Sequence, residues 1–105
     1  MKKRPKLVLH NLIEQDDDLY VGICLELGVA SQGESAEEAI TSLKEAVELY
    51  LESVYEDGDE EDFIPRPAPI EFWLKYFKTT ERSLRNELKR DLEHNLDFHN
   101  TVAAA

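Results

Sequence analysis

Cysteine and histidine, which often act as nucleophiles, bases or metal ligands, are sparse and widely spaced in this chain. The single cysteine, Cys24, lies within an apolar segment, where a small, partly buried thiol is more common than a nucleophile beside a base. His94 and His99 are five residues apart, which directs them to different sides of a helix. We therefore predict no catalytic residue, no metal site and no cofactor.

Carboxylates are abundant, but their positions do not favour metal-dependent phosphodiester cleavage. That chemistry needs several carboxylates that converge from neighbouring strands, whereas the predicted strands supply only Glu26 and, at a strand end, Glu14. The four glycines are scattered singly, so no glycine-rich loop could cradle a phosphate. The sequence therefore predicts a protein that is not an enzyme.

Negative charge is concentrated in the middle of the 105-residue chain, whose net charge is −11 at pH 7. Residues 10–64 contain 17 acidic residues and one base, Lys44, whereas residues 1–9 contain four bases and no acid. Such a field repels nucleic acid and attracts basic proteins, although an acidic surface can also serve solubility alone. We expect a basic protein partner and no direct binding of nucleic acid by the acidic segment.

Length and apolar patterning point to one domain in the cytoplasm. The longest uninterrupted apolar run is four residues, at positions 102–105, so no membrane span is expected. The beginning of the chain has no apolar stretch typical of a secretory signal, and one cysteine cannot form an internal disulfide. These features favour a cytoplasmic protein that does not contact membranes.

Three short strands are predicted before the first helix. Residues 6–13 and 19–26 form a hairpin around a polar turn at 14–18, and residues 29–32 add a third strand. The second strand alternates in polarity, and Cys24 lies on the face opposite the apolar set, a face that a partner or another strand could cover. The apolar set is Leu19, Val21, Ile23 and Leu25, and the opposite face carries Tyr20, Gly22, Cys24 and Glu26.

The main helix has local signals at both ends. Gly33 precedes it, and we expect a positive φ there. Ser35 and Glu38 have the spacing of a capping box, and Asp57-Gly58 stops the helix. Between these ends, apolar residues recur at intervals of three and four and predict one buried stripe. The stripe consists of Ala36, Ala39, Ile40, Leu43, Ala46, Val47, Tyr50, Leu51 and Val54.

The last third of the chain is harder to interpret. Residues 56–62 read as a solvated acidic loop, and the alternating prolines of 65–69 favour an extended connector. Residues 70–77 fit either a strand or a helix, and their aromatic content favours a strand. Thr80 is then a suitable N-cap for a final helix carrying leucines at 84, 88, 92 and 96.

Together these elements predict an α+β fold with an antiparallel sheet of three to four strands and one main amphipathic helix on a face. The order is β-β-β-α-β, followed by a C-terminal helix. Residues 1–69 form the sheet-and-helix domain with its connector, and residues 70–105 form a strand-and-helix extension of the same domain. Residues 70–77 carry four large aromatic side chains, and we expect them to be buried between subunits because a monomer that exposed them would aggregate. The predicted oligomer interface comprises Phe72, Trp73, Tyr76 and Phe77.

Residues 20–39, which read YVGICLELGVASQGESAEEA, and their continuation over 43–51 resemble the HicB antitoxin family. The resemblance spans about Leu7 to Pro67. It implies a partial ribonuclease H-like fold without catalysis, a homodimer or homotetramer, and binding of HicA, a small basic toxin that cleaves mRNA. From the positions of the family motif, the resemblance implies these partner-binding residues: Tyr20, Cys24, Glu26, Ser31, Gln32 and Glu34.

Two other functions remain open at this point. The chain could be an orphan homo-oligomeric module of the same type, with no toxin partner. It could also repress its own transcription through residues 70–105, since many members of the resembled family carry a C-terminal ribbon-helix-helix or helix-turn-helix domain. That segment is short for either domain, and its acids disfavour DNA binding; they include Glu87, Asp91, Glu93 and Asp97.

Overall fold

A computed structural model describes residues 6–94 of the chain, with side chains described as far as Arg90. The elements are β1 (Asn11–Asp16), β2 (Leu19–Cys24), β3 (Ala30–Gly33), α1 (Ala36–Asp57), α2 (Glu60–Phe63) and α3 (Ile70–His94). The predicted α+β class is confirmed, with a three-stranded antiparallel sheet, a long main helix and a C-terminal helix. The basic arm before residue 6 and the end of the predicted final helix, with Leu96 and His99, lie outside the described residues.

The sheet has the strand order β1-β2-β3, and both of its pairings are antiparallel. Asp16 pairs with Leu19, so a two-residue turn at Asp17-Asp18 joins β1 to β2. Asp17 adopts a φ of 54°, a left-handed conformation that aspartate tolerates. β1 therefore begins and ends later than the predicted 6–13, because backbone pairing continues through acidic residues whose side chains stay in water.

Helix α1 packs on the face of the sheet that carries Gly22 and Cys24. A Cβ atom on Gly22 would lie 3.2 Å from Leu43 Cδ2 of α1 and 2.9 Å from Ile13 Cδ1. Because these β2 residues are small, the helix approaches the strand closely, and Cys24 joins Leu43 in the buried core cluster. A helix of the same chain therefore covers this face, in place of the partner or further strand expected from the sequence.

The opposite face of the sheet carries the apolar alternation of β2 and is covered unevenly. Leu25 is fully buried, whereas Leu19 is 37% exposed. Glu14, which pairs with Val21, lies on this face and forms an ion pair of 3.5 Å with Lys75 of α3. The first turns of α3 therefore reach this side of the sheet.

The proline-rich connector runs alongside the chain that follows β2. The amide of Arg66 donates to the carbonyl of Glu26 at 2.9 Å, and the amide of Ala68 donates to that of Leu25 at 2.8 Å. Ala68 is buried as a result. The predicted extended connector is present, and its two backbone hydrogen bonds attach it to the end of β2.

Helix α1 begins and ends where predicted, but the return hydrogen bond of the capping box comes from the Glu34 amide and not from the Ser35 amide. The Ser35 hydroxyl accepts from the Glu38 amide at 3.1 Å, and the Glu38 carboxylate accepts from the Glu34 amide at 3.3 Å. Gly58 ends the helix with a φ of 70°. The positive φ expected at Gly33 is wrong, since among the described glycines only Gly28 and Gly58 adopt one. Gly33 is required for another reason, because a Cβ there would lie 2.6 Å from the Ala39 amide nitrogen.

The segments after α1 are more helical than predicted. Within the expected acidic loop, Glu60–Phe63 form α2, whose first turn is stabilised by acidic side chains near the positive end of the helix dipole. The strand favoured over 70–77 is wrong, and Thr80 is not an N-cap, because α3 is continuous from Ile70 to His94. The eight residues 70–77 fit both the period of a strand and the period of a helix, but only the helical period continues through Leu84 and Leu88.

The chain divides after Lys75 into two compact units. The first contains the sheet, α1, α2, the connector and the beginning of α3, and the second contains the rest of α3. In the part of the chain that the structure describes, no helix is both long and apolar enough to cross a membrane.

Candidate partner-binding surface

Four of the predicted partner-binding residues lie around β3, which is an outer strand of the sheet. Tyr20 pairs with Gly33, and Ser31 pairs with Gly22, so both side chains lie on the face that α1 covers, where they are half-buried. Gln32 and Glu34 are exposed. Within residues 6–94 no further strand pairs with the outer edge of β3, and this edge lies next to one amide and one carboxylate side chain.

Cys24 is placed differently from these four residues. It is 0% exposed and packs in the core with Leu43 and Val47. Burial raises the pKa of its thiol above the ordinary value, which keeps the group neutral and poorly nucleophilic at neutral pH. Its small size serves the approach of α1 to the sheet.

Glu26 is engaged in a pair with His10 that sequence reasoning missed. One carboxylate oxygen accepts from the His10 amide at 2.7 Å, and the other lies 2.7 Å from His10 Nδ1. The carboxylate thereby ties the start of β1 to the turn after β2. Counting outward from a turn at Asp17-Asp18 would place His10 opposite Leu25, next to Glu26, but the predicted turn at 14–18 begins too early to give this register.

The outer side of α1 carries a row of exposed carboxylates. We name it the acidic ridge, and it consists of Glu37, Glu45, Glu48, Glu52 and Glu56. These spacings place all five on one side of the helix, opposite the buried Leu43 and Val47. The ridge therefore concentrates negative charge on one surface of the first unit.

A shallow groove of about 580 Å³ lies between the acidic ridge and the chain leading into β1. Its apolar lining is Leu7, Leu9, Val47, Leu51 and Tyr55, and its polar lining is Lys44, Glu48 and Glu52. Among the side chains that the structure describes, no three from His, Cys, Asp and Glu gather as metal ligands would. The groove thus offers apolar contact beside charge, a combination that suits a protein surface.

The predicted oligomer interface lies in the first two turns of α3. Phe72, Trp73 and Tyr76 are half-buried, whereas Phe77 is 58% exposed. The indole Nε1 of Trp73 donates to the carbonyl of Ala68 at 3.2 Å, so the ring attaches the start of α3 to the connector. The Tyr76 and Phe77 rings meet edge to face, with centroids 5.8 Å apart.

The fold and its surface define a small acidic α+β protein with β3 as an outer strand and a ridge of carboxylates on α1. Comparison with known proteins adds the family. The chain is 39% identical to a UPF0150 protein of Helicobacter pylori strain J99 over 70 residues, which are 62% of this chain and 94% of the relative. It is 41% identical to a UPF0150 protein of Synechocystis over 64 residues, which are 56% of this chain and 81% of the relative.

The chain therefore belongs to the UPF0150 family. No family model matches it, and no solved structure gives a significant match.

Proposed function

We propose that this protein is a HicB-like antitoxin, a non-catalytic cytoplasmic protein that binds and masks a small basic HicA-type toxin that cleaves mRNA. The observation that carries the proposal is membership of UPF0150, a family that includes HicB-like antitoxins. The sequence motif over residues 20–39, which resembles that family, is built into β2, β3 and the start of α1.

The charge of the first unit supports a basic partner. The acidic ridge presents five exposed carboxylates, and Lys44 is the single base between residues 10 and 64. Opposite charge on a toxin would accelerate association and exclude acidic competitors. It would also make the complex sensitive to salt, because exposed charges are screened.

The free edge of β3 supports a second contact. An outer strand offers unpaired backbone donors and acceptors, and a partner strand can add to it by main-chain hydrogen bonds. Gln32 and Glu34 are exposed beside that edge. A toxin held by both the edge and the ridge would have its RNA-binding surface covered by negative charge, which mimics the charge of its substrate.

Capture of the partner from native lysate tests the proposal. We expect the full chain used as bait to retain a small basic protein at low salt and to lose most of it at high salt. The captured protein should cleave RNA once it is released. An empty capture at low salt by a folded bait would contradict the proposal and favour an orphan module.

A charge variant locates the contact. Glu45→Gln, Glu48→Gln and Glu52→Gln together should weaken capture, because they remove three charges from the acidic ridge. The matched control removes three charges from α2 through Glu60→Gln, Glu61→Gln and Asp62→Asn, and it should retain more of the partner. Equal loss in both variants would assign the effect to net charge and not to the ridge.

A further inference from the structure

The shallow groove beside the acidic ridge continues along most of helix α1. A second hollow of about 210 Å³ adjoins the groove of about 580 Å³, and the linings of the two share Leu9, Lys44 and Val47. Together they extend on the helix from Ile40 to Tyr55, a length of about 22 Å along the helix axis. We name this combined surface the α1 groove. All of it lies in the first compact unit.

The wall of the α1 groove that faces the helix comes from the chain leading into β1. Leu7, Leu9 and Asn11 line the groove, since alternate residues of an extended chain lie on the same side. Leu7 and Leu9 are half-buried, although Leu9 also packs against the core. On the helix, Ile40 is 52% exposed. The α1 groove therefore leaves apolar surface from both of its walls accessible to a partner.

The charge around the α1 groove is unbalanced. Two carboxylates of the acidic ridge, Glu48 and Glu52, line it together with one base, Lys44. The other carboxylates of the ridge continue the negative charge on the same helix. A basic segment is attracted to this surface, whereas the acidic first unit of a second copy is repelled by it.

We propose that the α1 groove binds a basic amphipathic segment of the partner protein. The apolar side chains of that segment enter the groove, and its basic side chains lie against Glu48 and Glu52. The inference rests on the proposed antitoxin function and adds to it the chemistry of the segment that is recognised. The acidic ridge alone would attract any polycation, whereas the groove favours a segment that also has apolar side chains to bury.

Two synthetic peptides of equal charge and length separate apolar contact from charge. The first combines leucine and lysine in an amphipathic repeat, and the second has glutamine in place of every leucine. Titration of each labelled peptide with the full chain, followed by fluorescence anisotropy, gives two dissociation constants. We expect the leucine peptide to bind at least about tenfold more tightly, because its apolar side chains leave water. Equal affinities would overturn the proposal and leave charge alone as the basis of binding.

Matched variants of the chain locate the bound peptide. Leu7→Gln together with Ile40→Gln changes one residue on each wall of the α1 groove, and it should raise the dissociation constant of the leucine peptide at least about fivefold. The control, Val8→Gln with Leu49→Gln, changes residues of the same two segments that are 69% and 66% exposed and do not line the groove. Circular dichroism verifies that both variants fold. Equal loss of affinity in the two variants would overturn the proposal.

A gain of affinity gives a measurement that does not depend on damage. Lys44 is exposed and lines the α1 groove, so Lys44→Gln removes a like charge beside the bound basic peptide. The dissociation constant of the leucine peptide should fall about twofold or more at low salt, and salt should reduce this gain. The control Lys78→Gln changes an exposed base outside the first unit and should have a smaller effect. A Lys44→Gln variant that binds no more tightly than the control would overturn the proposal.

Capture from native lysate with the same variants distinguishes this inference from the proposed function. Loss of the basic protein from the Leu7→Gln, Ile40→Gln bait, with retention by the control bait, would support the α1 groove as its binding site. Retention by both baits would overturn the groove and leave the antitoxin function standing. A parent bait that captures nothing would contradict the antitoxin function, and the peptide titrations would still decide whether the groove accepts a basic amphipathic segment. A groove variant whose molar mass in solution differs from that of the parent would assign the groove to a second copy and overturn the proposal.

Discussion

At the scale of single residues, the size of a few side chains determines how closely α1 lies to the sheet. Gly22 accommodates Leu43 of α1, and Cys24 is small enough to be buried beneath the same helix. Gly33 lies against the backbone of the first turn of α1. These three contacts explain why the helix covers the less hydrophobic face of β2.

Gly33→Ala should destabilise the fold by about 1–3 kcal/mol, because the added Cβ meets backbone atoms that cannot move aside. The matched control is Gly58→Ala, where a Cβ meets nothing within 4 Å but φ is 70°. That variant should lose about 1 kcal/mol from backbone strain alone. Urea unfolding measures both changes. A Gly33→Ala variant no less stable than the parent would contradict the close approach.

The Cys24 thiol should react slowly with a thiol reagent in the folded protein. Its pKa is raised mainly by burial, so the reactive thiolate forms only at more alkaline pH than it does in the unfolded chain. The rate in native buffer should therefore be low at pH 8 and should rise steeply in urea. Equal rates in the folded and unfolded protein would show that the thiol is accessible.

At the scale of secondary-structure elements, a feature could be predicted from the sequence when the residues that determine it lie close together in the chain. The limits of α1 could be predicted because Ser35, Glu38 and Gly58 act locally at its two ends. The start of α3 could not be predicted, because residues 70–77 fit both the period of a strand and the period of a helix. Only the leucines further along the chain distinguish the two. The pair of His10 and Glu26 joins residues sixteen apart and depends on a register set by the turn between them.

Ser35→Ala should lower the free energy of unfolding by about 1 kcal/mol, because the Glu38 amide loses its acceptor at the start of α1. Ser35→Asp keeps an acceptor and should stay close to the parent chain. Thermal unfolding followed at a helical wavelength compares the three proteins. If the alanine and aspartate variants lost the same stability, the hydroxyl would not be acting as a cap.

At the scale of the whole molecule, charge is distributed unevenly along the chain. The segment 10–64 is strongly acidic and contains the acidic ridge, whereas the sequence of α3 carries six bases and five acids. The sequence gives this distribution directly, and the fold adds which acids lie together on one side of α1. We propose that the acidic segment is the part of the chain that binds the toxin.

An RNA-cleavage assay shows whether this protein inhibits a toxin, as we propose. The small basic protein captured at low salt is released, purified and incubated with mRNA, alone and with increasing amounts of this chain. We expect cleavage by the basic protein alone and progressive loss of cleavage as this chain approaches a stoichiometric amount. Cleavage that continues unchanged in the presence of excess folded chain would contradict the proposal.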